Sequence, residues 1–211
     1  MKTLTLKKPW DKIGPTPLIQ VSPLIYAKLE TVNPTGSIKD RPMQYIVDLA
    51  IKSGEITSST IMVEATSGNT GIALSALGAA LGLPVKIIMP KNMSLERRQM
   101  MLAFGAEIID VGDSDFEGAI KLRNELIQKD DYWSPMQFEN YNNIVCHRET
   151  TGAEIINQLP ASSTFSAFVT GAGTGGTVMG VREALIEKGL VCAYHDRSDG
   201  GLFTTVAEMA F

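Results

Sequence analysis

Beyond position 40 the chain alternates between two hydrophobic periods. Apolar residues at Met43, Ile46, Val47, Ala50 and Ile51 recur at helical spacing and stop at Gly54, which predicts a helix with one buried face. Pro42 is tolerated only in a first turn, so this helix must begin within a few residues of Lys39. Short β-branched runs then lead into helical patterns three times: "IMVEA" (61–65) into "NTGIALSALGAALG", "VKIIM" (85–89) into a helix near "MSLERRQMM", and "EIIDV" (107–111) into "FEGAIKLRNELI". Strands alternating with helices imply parallel strands joined by right-handed crossovers, an α/β fold.

The rhythm breaks over Tyr132–Asn143, a candidate domain crossing. It resumes with a helix near "CHRETTGAEIINQL", a strand "FSAFVTG" (165–171) and a helix from Gly175. The uncharged run Ala65–Val85 has the length of a membrane span. It carries four glycines, Asn69 and Pro84, so a helix buried between protein layers is expected instead.

Composition narrows the class. The 211 residues suffice for one large domain or two small ones with a real core. A net charge of −4, with no basic stretch, argues against a nucleic-acid surface. Two cysteines, Cys146 and Cys192, exclude a disulfide framework and suggest a reducing, cytoplasmic setting. The N-terminus "MKTLTLKKPWDK" has no apolar run of signal-peptide length. A soluble protein is expected.

Three polar loops lie where open α/β sheets bind ligands, after strands or turns. The first, "NPTGSIKDRP" (33–42), delivers Lys39 to a helix start. The helix dipole there favours the neutral amine, whereas Asp40 pulls the other way, so no net shift is expected. A surface lysine in a capping turn is the bland alternative. The second loop is "TSGNTG", Thr66–Gly71. Its hydroxyls, N–H groups and Asn69 amide suit a carboxylate or phosphate, or simply cap a helix. The third, "GAGTGGT" (171–177), lets the backbone approach an anion closely, with hydroxyls from Thr174 and Thr177.

Gly171, Gly173 and Gly176 also match a dinucleotide fingerprint, with Asp196 as the ribose acid. Only 35 residues follow Gly176, too few for the rest of such a fold. Cys146-His147 and Cys192-x-x-His195 lack structural-zinc spacing, so no metal is expected.

Taken together, "GPTPL" (14–18), "KLE" (28–30), "NPTGSIKDRP", "EATSGNTGIAL", "MPKNMSLERRQMMLAFGAE", "QFEN", "TTGAEI" and "GTGGTVMG" resemble the cysteine synthase family. These are pyridoxal-phosphate enzymes of fold type II, a group that includes cystathionine β-synthase. The likeness covers roughly residues 13–188, and "EATSGNTGIAL" with "NMSLERR" is most similar to the B-type synthases. The resemblance implies a two-domain α/β fold with parallel sheets flanked by helices. Residues 40–141 would form a small substrate-loop domain, and 1–39 with 142–188 a cofactor-phosphate domain.

It also implies roles. Lys39 would form the Schiff base with pyridoxal 5'-phosphate and remove the substrate's Cα proton. Gly173, Thr174, Gly175, Gly176 and Thr177 would hold the cofactor phosphate, and Asn69 the ring hydroxyl. Thr66, Ser67, Gly68, Thr70 and Gln137 would grip the substrate carboxylate. The implied reaction is β-replacement, in which O-acetylserine loses acetate and sulfide or a related thiol adds. A homodimer is expected from the family.

Two departures stand out. Only "IQVSPLIYA" separates "TPL" from "KLE", so a strand pair there should be short. The family also runs on for about a hundred residues more, including a late Ser or Thr that meets the pyridine nitrogen. Here "AYHDRSDGGLFTTVAEMAF" instead resembles part of phosphoribosylformylglycinamidine synthase, with a join around Leu185–Cys192 and a tail over 189–211. The expectation is an incomplete second domain, whose exposed strand edge and apolar faces invite self-association. Three readings follow: a synthase-derived enzyme, a non-catalytic remnant that binds anions, and a serine or threonine dehydratase.

Overall fold

The computed structural model describes residue 10 and residues 13–161 and 165–190. Its centre is a four-stranded parallel sheet built from β3 (Ile61–Ala65), β4 (Val85–Pro90), β5 (Glu107–Val111) and β6 (Tyr132–Trp133), in the order β5-β4-β3-β6. The connecting helices are α2 (Asn69–Leu81), α3 (Leu95–Ala103) and α4 (Phe116–Leu126), preceded by α1 (Asp40–Ser53). The side-chain period of two sorts the strands into two cores. Met62, Ile87 and Met89 pack with α1 and α2, whereas Val63, Ala65 and Ile88 pack with Ala119 of α4. The helices cover both faces, as a parallel sheet requires.

The apolar run that suggested a buried helix is one: every residue of α2 from Thr70 to Gly78 is buried. Gly78 permits this, because a Cβ there would lie 2.1 Å from Val85 Cγ2. Helix α1 begins at Asp40 and ends on Gly54, whose left-handed φ of 83° closes the C-cap.

Two elements lay beyond the hydrophobic pattern. Strand β6, two residues long, pairs in parallel with β3, and it reverses the strand order. After β3 the chain builds outward through β4 and β5, then returns to the other side of β3. The crevice between the C-terminal ends of β3 and β6 is therefore the topological switch point, where such sheets bind ligands. The second is a feature inside the helix expected near "CHRETTGAEIINQL". That helix runs without a break over 142–158, as α5 (Asn142–His147), a π-helical turn (Arg148–Gly152) and α6 (Ala153–Gln158). Thr150 Oγ1 donates to the Cys146 carbonyl at 2.7 Å within that wide turn.

The strand expected at 165–171 does not form. Among the described residues nothing pairs with it, and Val169 is 82% exposed. Its β-branched and aromatic residues have the propensity, but a strand is stabilised by a neighbour. Phe165 and Phe168 instead pack against Ile155, Val181 and Leu185. Helix α7 (Gly176–Glu187) follows. Near the N-terminus β1 (Leu18–Ser22) and β2 (Ile25–Lys28) form a short antiparallel hairpin, as the brief "IQVSPLIYA" spacer led one to expect. Among the described residues no helix is long and apolar enough to cross a membrane.

A buried ionic hub joins the hairpin to α1 and α6. The Arg41 side chain, 1% exposed, donates Nε to Glu30 Oε2 and Nη1 to Glu154 Oε1, both at 2.7 Å. Its Nη2 reaches Glu30 Oε1 at 2.8 Å, Glu154 Oε2 at 2.7 Å and Thr16 Oγ1 at 2.9 Å. Lys28 adds a second cation, 2.6 Å from Glu154 Oε2, and also donates to the Thr16 carbonyl. Two cations thus face two anions. The guanidinium holds both carboxyls below the usual range against the opposing pull of burial. Removing one member strands the others in a dry site. Arg41→Leu is expected to lower stability by roughly 3–5 kcal/mol, read from the urea midpoint; a loss under about 1 kcal/mol would show that the hub does not hold these elements together.

Candidate active site

The turn ahead of α1 is fixed from both sides of Lys39. Asp40 folds back: its carboxylate accepts from the Thr35 N–H at 2.7 Å and from the Thr35 hydroxyl. Asn33 Nδ2 donates to the Ser37 carbonyl at 3.1 Å and to Glu30 Oε2 at 2.8 Å. Arg41, next in line, is held in the hub. The Lys39 ammonium itself makes no hydrogen bond or ion pair among the described residues.

This corrects one expectation. Asp40 was to offset the helix dipole, but its charge is spent on Thr35, and burial lowers the Lys39 pKa below the ordinary lysine value. Desolvation favours the neutral amine.

The loop 66–71 runs from the end of β3 into the first turn of α2. Thr66 N–H bonds the Ile88 carbonyl at 3.1 Å, and Thr66 Oγ1 accepts from Gly68 N–H at 3.4 Å. Gly68 is the N-cap of α2, so Ser67, Gly68 and Asn69 sit beside its unpaired N–H groups. The Asn69 side chain is exposed and unbonded among the described residues. Thr70, buried, donates to Gln137 Oε1 at 2.7 Å across the switch point. Gln137 is gripped by its backbone as well: its N–H meets Glu64 Oε2 at 3.3 Å and its carbonyl accepts from Asn143 Nδ2 at 3.0 Å. The Gln137 amide protons make no hydrogen bond among the described residues.

Glu64 is the other end of that support. It lies fully buried on the central strand, 3.3 Å from Arg123 of α4, and accepts from Ala65 N–H at 2.8 Å. Burial pushes its carboxyl upward against the pull of Arg123.

The third loop, 173–177, leads into α7. Gly175 takes a left-handed φ of 81°, which glycine adopts without strain. Gly176 is required by proximity: a Cβ there would lie 2.2 Å from Asn143 Oδ1. Gly180 is required likewise, with Ile144 O at 2.3 Å and Arg148 N at 2.7 Å from its notional Cβ. These contacts let α7 press on α5, bringing Thr174 Oγ1 to 2.9 Å from Asn143 Nδ2 and Thr177 Oγ1 to 3.3 Å from His147 Nε2. No acidic side chain belongs to the loop. Two hydroxyls, three glycines and a helix N-terminus form a donor set that suits a phosphate monoester.

Two of the loops, 66–71 and 173–177, meet through one polar chain of Thr70, Gln137, Asn143 and Thr174. His147 touches Thr177, and the Lys39 charge contributes to lowering its pKa. Neither Asn143 nor His147 was singled out as a site residue from the sequence. Their i, i+4 spacing just before "TTGAEI" was the available signal, since two polar residues on one buried helix face need partners. Cys146 beside them is buried, its thiol pushed up to about 12 by burial.

Comparison with known proteins places this geometry in a family. The family model described as "Pyridoxal-phosphate dependent enzyme" matches residues 9–193, and the chain belongs to that family. A cysteine synthase of Staphylococcus aureus is 40% identical over 191 residues, covering 85% of this chain and 61% of its own length. Cysteine synthase B of Campylobacter jejuni is 42% identical over 183 residues, covering 84% and 60%. Among solved structures, an O-acetylserine dependent cystathionine β-synthase from Helicobacter pylori superposes with a TM-score of 0.77 at 38% identity, covering 85% and 61%. The chain spans about three-fifths of the length of the curated relatives it matches.

His147 gives a pH signature. Burial, with Arg41 and Lys39 nearby, lowers its pKa from 6.5 to about 4. Between those values the unfolded chain binds the extra proton, so this group makes stability fall as pH drops from 6.5 to 4. His147→Gln should remove that component from the pH dependence of the urea midpoint. An unchanged slope would mean that the imidazole titrates alike in both states.

Proposed function

We propose that the chain acts, or descends from one that acts, in pyridoxal-phosphate-dependent β-replacement, forming L-cysteine from O-acetylserine and sulfide. The observation that supports this reading is a desolvated Lys39, without a hydrogen bond or ion pair among the described residues, in a chain whose loops 66–71 and 173–177 are joined through Gln137 and Asn143. Lys39 would bind the cofactor carbonyl and take the Cα proton at Nζ, a task for a neutral amine. Gly173, Thr174, Gly175, Gly176 and Thr177 would hold the phosphate, and Asn69 the ring hydroxyl. Thr66, Ser67, Gly68, Thr70 and Gln137 would orient the substrate carboxylate. When bound, the cofactor supplies the electron sink that stabilises charge at Cα. Cysteine synthase relatives near 40% identity support this assignment over the dehydratase one.

A second reading, a non-catalytic binding protein, draws on the unpaired segment 165–171, which leaves the phosphate loop without strand support on that side. We further read 40–141 as the substrate-loop domain, 1–39 with 142–188 as the cofactor-phosphate domain, and self-association of two copies as the mode of assembly. The tail from about 190, read as similar to phosphoribosylformylglycinamidine synthase, lies outside the described residues beyond Leu190.

Incubation with pyridoxal phosphate, borohydride reduction and peptide mapping test the assignment. The expected result is a phosphopyridoxyl group on Lys39, absent in Lys39→Ala, and cysteine formed from O-acetylserine and sulfide. A labelled Lys39 without turnover would favour the binding protein. No labelling of a folded sample would overturn both cofactor readings.

A further inference from the structure

Helix α5 presents Asn143 and His147 one turn apart, and each meets a different threonine of the loop 173–177. The direction of these hydrogen bonds follows from chemistry. Asn143 faces the Gln137 main-chain carbonyl, which only accepts. The atom pointing at it must therefore be Nδ2, and the same NH2 group reaches Thr174 Oγ1. Thr174 is thus fixed as an acceptor. Its oxygen also receives the Gly176 N–H at 3.4 Å, so both lone pairs are engaged and its hydroxyl proton is left over.

Asn143 bears a cost for this orientation. Its Oδ1 is buried against Gly176 with no donor among the described residues, although Asn143 is only 3% exposed. Buried orphan acceptors are uncommon and call for a reason.

We propose that Asn143 and His147 are paired positioning residues, donating to Thr174 and Thr177 from behind so that both hydroxyl protons face a phosphate held in the loop. For His147 this specifies the tautomer. Its Nε2–H donates to Thr177 Oγ1, and Nδ1 accepts from the Thr151 hydroxyl at 2.9 Å. In the opposite tautomer Thr177 would spend its proton on Nε2 and turn a lone pair towards the anion. Burial keeps the ring neutral, consistent with one donor and one acceptor nitrogen. The inference rests on the reading of 173–177 as the phosphate loop.

The test compares pyridoxal phosphate affinity, followed by fluorescence titration, in single and double variants, with the histidine tautomer read by 15N NMR of the full chain. Thr174→Ala and Thr177→Ala should each weaken binding about ten-fold, the scale of a hydrogen bond to a charged acceptor. His147→Phe and Asn143→Leu should weaken it similarly. Crucially, His147→Phe should add little in a Thr177→Ala background, and Asn143→Leu little in Thr174→Ala, because each pair acts through one hydroxyl. The wild-type His147 signal, assigned by its loss in His147→Gln, should show the Nε2–H form. Unchanged affinity in both threonine variants would overturn the phosphate-loop reading and the inference with it. Weakened threonine variants with additive effects, or an Nδ1–H signal, would overturn the inference alone. If His147→Gln fails to fold, the signal is assigned by elimination in His195→Gln, since the chain has two histidines.

Discussion

The Arg41 hub is the constraint on which the site depends. A buried guanidinium facing two carboxylates has no tolerance for a missing partner, so Glu30, Glu154 and Thr16 must arrive together or not at all. Those residues come from the turn after the hairpin, from α6 and from the N-terminal segment. Two positions before Arg41 stands Lys39, and between them Asp40 is tied to Thr35. The lysine backbone is therefore flanked by residues that are themselves held, while its amine makes no hydrogen bond or ion pair among the described residues.

Much of this was legible in the amino-acid sequence, and for a definable reason. Periods of 2 and 3.6 belong to local stretches, so "IMVEA", "EIIDV" and the helix closed by Gly54 could be placed almost to the residue. The three polar loops were visible because glycine, threonine and asparagine cluster only where backbone donors are exposed. Their roles, however, came from resemblance to a family and not from spacing. What local pattern could not supply was partnership over distance. Glu64 and Arg123 are 59 positions apart, and nothing in either neighbourhood announces a buried ion pair. Strand β6 has two residues, below the length at which alternation can be seen. The opposite failure occurred at 165–171, where strand propensity was real but no neighbouring strand accompanies it among the described residues.

His147 shows how a local reading can mislead. Beside Cys146 it invited a metal-site interpretation, which spacing argued against. In the fold the two side chains part company: the thiol lies near Thr150, while the imidazole bridges Thr151 and Thr177. Adjacent residues on a helix point about 100° apart, so the informative relation was His147 with Asn143, not with its neighbour.

The segment 137–147 is consequently the element that joins the loops 66–71 and 173–177. Its start is anchored to the sheet through Glu64, which Arg123 neutralises from α4. Gln137 at that start also meets the loop 66–71 through Thr70, and Asn143 in its middle meets the loop 173–177 through Thr174. Its end touches Thr177 in a position where the Lys39 charge is felt. A movement of this segment would shift both loops at once, whereas either loop moving alone would break a buried hydrogen bond. Close helix contact at Gly176 and Gly180 removes the remaining slack, since any side chain there would push α7 away. The two loops are separate in sequence and lie on different elements, yet they share one support, and within it Gln137 was named from the sequence whereas Asn143 was not.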